Sequence, residues 1–234
     1  MSTDTYTVRP DIPVSQLGVD VRSAFITRTY SHLLGAILAF TMLEVYLFET
    51  GMAESIARVL LGGSWLIVLG GFMIVSWIAT RVAHSSQSQG AQYGVLGLFI
   101  VAEAIIFTPM LYLANTYAPG VIENAATVTL IGFVGLTMVA YQTRKDFSFL
   151  GGLLRWAMIG ALLLIVSSVL FGFQLGTLFT VLMIVVAGAA ILYDTSNVLR
   201  HYPADRHVGA ALQLFASVAL LFWYVLQFFM SRDD

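Results

Sequence analysis

The chain has 234 residues, of which 59% are hydrophobic and 10% are charged, with a formal net charge of −2. Its mean hydropathy of +0.86 excludes an ordinary soluble domain, because 11 basic and 13 acidic residues cannot supply a polar surface for so much apolar sequence. The absence of cysteine excludes a disulfide framework, a zinc–thiolate site and a thiol nucleophile, and nothing in the composition suggests nucleic-acid binding. The composition therefore predicts an integral protein of the lipid bilayer.

The first 27 residues are polar and carry charges of both signs, and Pro10 and Pro13 interrupt any early helix. A cleavable signal peptide would place a short basic region directly before an apolar core, whereas the first apolar run starts near Tyr30 and is long enough to span. We expect residues 1–27 to form a short cytosolic tail, residues 28–230 a membrane domain, and residues 231–234 a short periplasmic C-terminus.

Seven apolar runs of roughly 20 residues follow, which is the length that a bilayer-crossing helix needs. Because period-two alternation is absent and lipid offers no partner for an unpaired backbone group, these runs predict an all-α, seven-helix membrane bundle. Only Gly172, Gln174 and Gly176 separate the fifth run from the sixth, so a six-span topology is an open alternative. The runs are 30–48, 60–80, 93–114, 121–141, 149–173, 177–199 and 208–230.

The distribution of Lys and Arg predicts the orientation of the chain, because basic residues collect in cytoplasmic loops. The loops on the side of the N-terminus hold eight basic residues, and the opposite loops hold two, Arg58 and Arg232. This bias predicts a bacterial inner-membrane protein with a cytosolic N-terminus and a periplasmic C-terminus. The eight residues are Arg9, Arg22, Arg28, Arg81, Arg144, Lys145, Arg200 and Arg206.

Ionisable residues at membrane depth are costly, so they mark candidate functional sites. Asp194 lies about five residues, or roughly 8 Å, inside the sixth run, and Asn197 follows it on the same helix face. Arg81 and Arg155 lie at a similar depth, and each is a candidate ionic partner of Asp194. A pair of this kind that breaks when the carboxylate is protonated would form a pH-dependent latch.

The remaining polar groups in the apolar runs allow less specific interpretations. Glu103 lies at the middle of the third run, where it either lines a polar interior or is protonated and hydrogen-bonded to a neighbouring helix. We expect Glu44 to reach headgroup water and His32 to bridge water and lipid. Ser64 follows two glycines, as in intramembrane serine proteases, but no histidine lies at comparable depth to activate it. The sequence therefore predicts a protein that is not an enzyme and has no cofactor or metal site.

Two stretches give the chain a resemblance to a known family. One is Thr143-Arg144-Lys145-Asp146-Phe147-Ser148-Phe149-Leu150-Gly151-Gly152, between the fourth and fifth runs, and the other is Ile191-Leu192-Tyr193-Asp194-Thr195-Ser196-Asn197 in the sixth. Residues 28–30 and 115–117 add weaker support. With these motifs the chain resembles the Bax inhibitor-1 family of seven-span membrane proteins, and within it the bacterial YccA-type branch.

The resemblance implies a bundle of seven helices around a central one, with a pair of aspartates from the sixth and seventh spans holding a cytosolic gate. Asp194 matches the first aspartate, and Arg81 matches an arginine that contacts the pair in relatives. Ser217 stands where the second aspartate is expected, so the pair here has one titrating group.

The resemblance implies two alternative functions. The YccA-type branch implies a regulatory protein that binds the FtsH protease and modulates membrane-protein quality control. The wider family implies a pH-sensitive calcium or cation leak, with Ca²⁺ or H⁺ as the permeant or regulatory ion and Asp194 at the gate.

Overall fold

The computed structural model describes residues 12–63, 65–85, 88–143 and 145–231. Arg144, and Ser64 considered above as a nucleophile, lie outside these ranges, as do the first eleven residues of the expected tail and the last three residues of the chain. The described residues are helical apart from short connections and a single 3-10 turn, Val14–Gln16. The helices are α1 Val19–Glu49, α2 Met52–Gly62, α3 Trp65–Ser85, α4 Gln89–Tyr117, α5 Val121–Thr143, α6 Leu150–Phe171, α7 Gly176–Arg200 and α8 His207–Met230.

Seven of these helices, all except α2, are long and apolar enough to cross a membrane, which confirms the predicted seven-span, all-α architecture. The fifth and sixth apolar runs form two separate helices, so the six-span alternative is wrong. Gly172 ends α6 with a φ of 69° and Gly176 starts α7 with a φ of 66°, a left-handed conformation that costs glycine little and other residues much.

Helix α2 is an addition that the apolar runs do not predict. It is short and amphipathic, and its Ala53 and Ala57 are buried while Met52, Val59 and Leu61 remain exposed. It packs against α4 in the connection between α1 and α3. The second spanning helix consequently starts at Trp65, five residues after the expected start at residue 60.

The first helix also begins earlier than its apolar run, at Val19 instead of residue 30. No glycine or proline interrupts the chain between Val19 and Leu34, and Asp20 in the first turn interacts favourably with the helix dipole. Residues 19–27 of the expected tail are therefore the beginning of α1.

Helix α8 is the central helix of the bundle. In its most apolar stretch 72% of residues are buried, against at most 56% for the other spanning helices, and it packs against α1, α3, α4, α5 and α7. Aromatic rings fix its contact with α4: Phe222 stacks on Phe107 at 5.5 Å between centroids, and Phe215 meets Phe99 edge-on at 6.1 Å. This is the arrangement that the family resemblance implies.

The 3-10 turn closes one end of the bundle. Val14 is completely buried, its N–H donates to the Tyr202 carbonyl at 2.8 Å, and Pro13 forms an isolated β-bridge with Pro203. Ser15 Oγ donates to the Arg200 carbonyl at 2.7 Å. We call residues 13–16 the N-terminal plug, and the end of the bundle that it covers the plug face.

Candidate functional site

The site is built around a buried carboxyl group between α7 and α8. Asp194 is 2% exposed and Ser217 is 5% exposed, and Ser217 Oγ donates a hydrogen bond to Asp194 Oδ2. Gln213, one turn before Ser217 on α8, is also placed to donate to this carboxyl group. The central helix therefore supplies neutral hydrogen-bond donors to the single acid of α7, at the position where the family pattern has a second aspartate.

Neither candidate arginine forms an ion pair with Asp194 within the described residues. Arg81 is exposed near the end of α3, with its guanidinium 5.2 Å from the centroid of the Trp77 ring, and Arg155 is exposed on α6. Similar depth in the membrane suggested these partners, but depth does not determine which face of a helix a side chain occupies. The latch that requires such a pair is not formed in this structure, and its role in gating stays a prediction.

The polar residues after Asp194 lie on more than one side of α7. Thr195 and Ser196 are buried, whereas Asn197 is half-buried. The main-chain carbonyl of Asn197 accepts the N–H groups of His201 and Tyr202 at 2.8 and 3.2 Å, which closes the end of α7. Asn197 thus helps to shape the turn that leads into α8.

The two stretches that carry the family resemblance contact each other beside this site. The main-chain N–H of Phe147 donates to Ser196 Oγ at 3.0 Å. Gly151, at the start of α6, faces the ring of Tyr193, and a Cβ added to this glycine would lie 2.8 Å from the ring. Sequence reasoning found both motifs but not their contact, because neither motif encodes the packing of α6 against α7.

The N-terminal plug lies over the turn that follows the site. Tyr202, which accepts the N–H of Val14, is 7% exposed, and burial together with the nearby carboxyl group of Asp194 raises the pKa of its hydroxyl. The plug therefore covers the end of α7 that carries Asp194. Sequence reasoning missed Val14 and Tyr202, since a valine outside the apolar runs gives no signal of burial.

Two acids in the other half of the bundle are buried as well. Glu44 on α1 is 6% exposed and Thr108 Oγ1 lies 3.4 Å from its Oε2, so it points into the bundle and does not reach headgroup water as expected. Glu103 on α4 is 5% exposed, and its carboxyl group has no hydrogen-bond partner among the residues that the structure describes. Glu44 faces α4, whereas Leu38, Met42 and Val45 of the same helix are exposed.

His32 joins α1 to α4 near the plug face. Its Nδ1 lies 2.6 Å from the Arg28 carbonyl and its Nε2 lies 2.7 Å from the Tyr93 hydroxyl. The ring of His207 at the start of α8 lies 5.0 Å from that of His32, edge-on. His32 thus contacts two neighbouring helices, and its expected place at the boundary between water and lipid stays a prediction.

No group of three or more histidine or acidic side chains in the described part of the chain is close enough to hold a metal ion. Asp194 and Ser217 together offer few oxygen ligands for calcium, which prefers six to eight.

Three relatives are similar in sequence to this chain over half of its length or more. "Protein LIFEGUARD 4" of Arabidopsis thaliana is 27% identical over 223 residues, which are 92% of this chain and 87% of the relative. "Bax inhibitor 1" of Schizosaccharomyces pombe is 27% identical over 220 residues, covering 92% and 79% of the two chains. "Modulator of FtsH protease YccA" of Escherichia coli is 31% identical over 128 residues, which are 51% of this chain and 57% of that protein.

The family model "Inhibitor of apoptosis-promoting Bax1" matches residues 22–234, nearly the whole chain and all seven spanning helices. The central α8, the buried Asp194 and the contact between the two motif stretches lie within this range. The chain belongs to the Bax inhibitor-1 family of multi-pass membrane proteins.

Proposed function

We propose that this protein is a regulatory protein of the bacterial inner membrane that binds an FtsH-type membrane protease and modulates its degradation of membrane substrates. The observation that carries the proposal is the 31% identity to the modulator YccA over 128 residues. The proposal places the plug face in the cytosol, in agreement with the distribution of basic residues. Regulation by binding requires no catalytic group in the bundle.

The composition of the buried site supports a regulatory role over a catalytic one. Ser217 donates its hydroxyl hydrogen to Asp194, and its described surroundings supply no histidine base that would activate it as a nucleophile. The site consists of a hydrogen bond that joins α7 to α8, and Asp194 is its one ionisable group.

The plug face suggests where a protease could engage the chain. Val14 and Ser15 anchor the chain to the turn after α7, and the eleven N-terminal residues precede that anchor. Because the N-terminal segment is attached to the bundle at this point, a protease that bound the segment would also pull on the end of α7.

The test is a pair of N-terminal deletions assayed with the protease. Removing residues 2–11 leaves the plug and all eight described helices, whereas removing residues 2–24 deletes the plug and the first turns of α1. We expect the full chain to copurify with the protease and to lengthen the half-life of a membrane substrate, and the short deletion to weaken both effects. Absence of capture by the full chain would refute the proposed function, whereas undiminished capture by both deletions would refute only the role of the N-terminus.

A measurement of ion flux distinguishes the regulatory proposal from the alternative, a cation leak. Calcium and potassium efflux from proteoliposomes would be compared at about pH 6 and pH 8 for the native chain, Asp194→Asn and Ser217→Asp. Under the regulatory proposal all three release ions no faster than empty liposomes. A pH-dependent efflux that Asp194→Asn alters would favour the leak, and its appearance only in Ser217→Asp would indicate a pore architecture that lacks its second acid.

A further inference from the structure

A groove of about 360 Å³ runs between α1 and α4 on the outside of the bundle. Its volume is within the range of small-molecule sites, roughly 300–1,000 Å³. Ser31, His32 and Tyr93 line one end, and Gly35, Gly97 and Ile100 line the other. None of the residues that line it is acidic, and neither the regulatory proposal nor the Asp194 site uses it.

The polarity of the groove changes along its length. The polar residues are near the plug face, where α1 and α4 both enter the membrane, and the apolar residues follow one to two turns deeper. From Tyr93 to Ile100 the distance along the helix is roughly 10 Å at the α-helical rise. This order, polar at the membrane boundary and apolar toward the centre, matches that of a membrane lipid.

The polar end carries one cationic side chain, Arg28. A carbonyl can only accept, so His32 Nδ1 donates its proton to the Arg28 carbonyl, and in the neutral ring Nε2 accepts from the Tyr93 hydroxyl. The Arg28 guanidinium side chain is exposed one turn before His32 and on the same helix face. Behind His32 lies His207, which is 5% exposed and whose buried Nδ1 has no hydrogen-bond partner among the described residues.

The apolar end has room for a chain. Gly35 on α1 and Gly97 on α4 line opposite sides of the groove. A Cβ added to either glycine would meet no atom within 4 Å. The space is therefore open, and it is not filled by the side chains of neighbouring helices. In a bilayer such a groove takes up an acyl chain, because lipid is the surrounding solvent.

We propose that the groove binds an anionic glycerophospholipid from the leaflet at the plug face, with its phosphate at the Arg28 guanidinium, beside the end lined by His32 and Tyr93, and one acyl chain along Gly35 and Gly97. The bound lipid joins α1 to α4 beside the end of α8. This inference is independent of the protease proposal, since it depends only on the groove and its polar end.

The test uses the full chain purified in detergent and native mass spectrometry with added phosphatidylglycerol or phosphatidylcholine of identical acyl chains. We expect the native protein to retain phosphatidylglycerol preferentially. Gly97→Leu fills the groove without touching protein atoms and lowers the affinity for phosphatidylglycerol about tenfold, because the chain loses its apolar contact surface. Gly71→Leu is the matched control, since Gly71 is exposed on α3 with equally open space around it.

A second variant tests the headgroup contact. Arg28→Gln removes one basic group near the membrane surface, and we expect about fivefold weaker binding of phosphatidylglycerol with little change for phosphatidylcholine. Thermal unfolding of each variant identifies any that does not fold, and Gly35→Leu then replaces Gly97→Leu. Equal retention of both lipids, or equal binding by the Gly97 and Gly71 variants, would overturn the proposal. Competition by inorganic phosphate that is insensitive to Gly97→Leu would assign the polar end to a free anion and also overturn it.

Discussion

At the scale of single residues, Gly151 carries a packing requirement that its neighbour Gly152 does not share. A Cβ at Gly151 would lie 2.8 Å from Tyr193 Cε2, whereas a Cβ at Gly152 would meet nothing within 4 Å. The contact lets the start of α6 approach the turn of α7 that carries Asp194. The pair of glycines therefore offers a matched comparison within one helix.

We predict that Gly151→Ala destabilises the protein by about 1–2 kcal/mol, because the Tyr193 ring has to move. Gly152→Ala changes stability by no more than about 0.5 kcal/mol, or increases it through better helix propensity. Thermal unfolding in detergent measures both. If contact with the Tyr193 ring is the cause, Gly151→Ala lowers the stability less in a Tyr193→Leu background. An equal loss of stability in both backgrounds would contradict this explanation.

The hydrogen bond from Ser217 to Asp194 gives a second prediction at this scale. Ser217→Ala leaves a buried carboxyl oxygen without its donor, which costs about 1–2 kcal/mol. Asp194→Leu removes the acceptor with little change of shape, so the same serine substitution becomes nearly neutral in that background. A double-mutant cycle of unfolding midpoints measures the coupling, and additive effects would show that the two side chains do not interact.

At the scale of elements, the N-terminal plug ties the beginning of the chain to the connection between α7 and α8. The contact has a fully buried apolar side chain, a main-chain hydrogen bond and the Ser15 contact to the Arg200 carbonyl. These interactions link two parts of the chain that are 185 residues apart in sequence. The plug is therefore part of the tertiary structure and not an extension of the tail.

Val14→Asp should release the plug, because an unpaired carboxylate is too costly to bury at this position. Val19→Asp is the control, since Val19 is 83% exposed at the first turn of α1. Limited proteolysis of the protein in detergent measures the result as cleavage near residues 13–18. We expect Val14→Asp to be cleaved several-fold faster than the native chain and Val19→Asp to behave like the native chain; equal rates for all three would show that the plug is not held by Val14.

At the scale of the whole molecule, the seven spanning helices among the described residues predict that the two ends of the membrane domain lie on opposite sides. The excess of basic residues on the plug side predicts that this side is cytosolic. Alkaline phosphatase fused after Met230 should therefore be active in a bacterial cell, and the same enzyme fused within the connection between α3 and α4 should be inactive. The reverse pattern would invert the orientation, and activity at both positions would contradict the seven-span topology.

The sequence by itself determined the membrane class and the family, favoured seven spanning helices over six, and singled out Asp194 as a candidate whose role stays a prediction. Each of these follows from local or linear information: the length of an apolar run, the breaks at Gly172 and Gly176, and two short motifs. Helix α2 escaped prediction because it is too short and too amphipathic to register as an apolar run.

Only the tertiary structure decided which face of each helix is turned inward. Apolar helices in lipid have little amphipathic pattern, so hydropathy fixes how deep a residue lies but not its direction around the helix axis. For this reason depth paired Asp194 with Arg81 or Arg155, whereas the structure shows a hydrogen bond from Ser217, the residue that the family resemblance placed beside Asp194. For the same reason the sequence did not predict that Glu44 is buried or that His32 contacts Tyr93. Val14 lies outside the apolar runs, so nothing in the sequence indicated that it closes the end of the bundle.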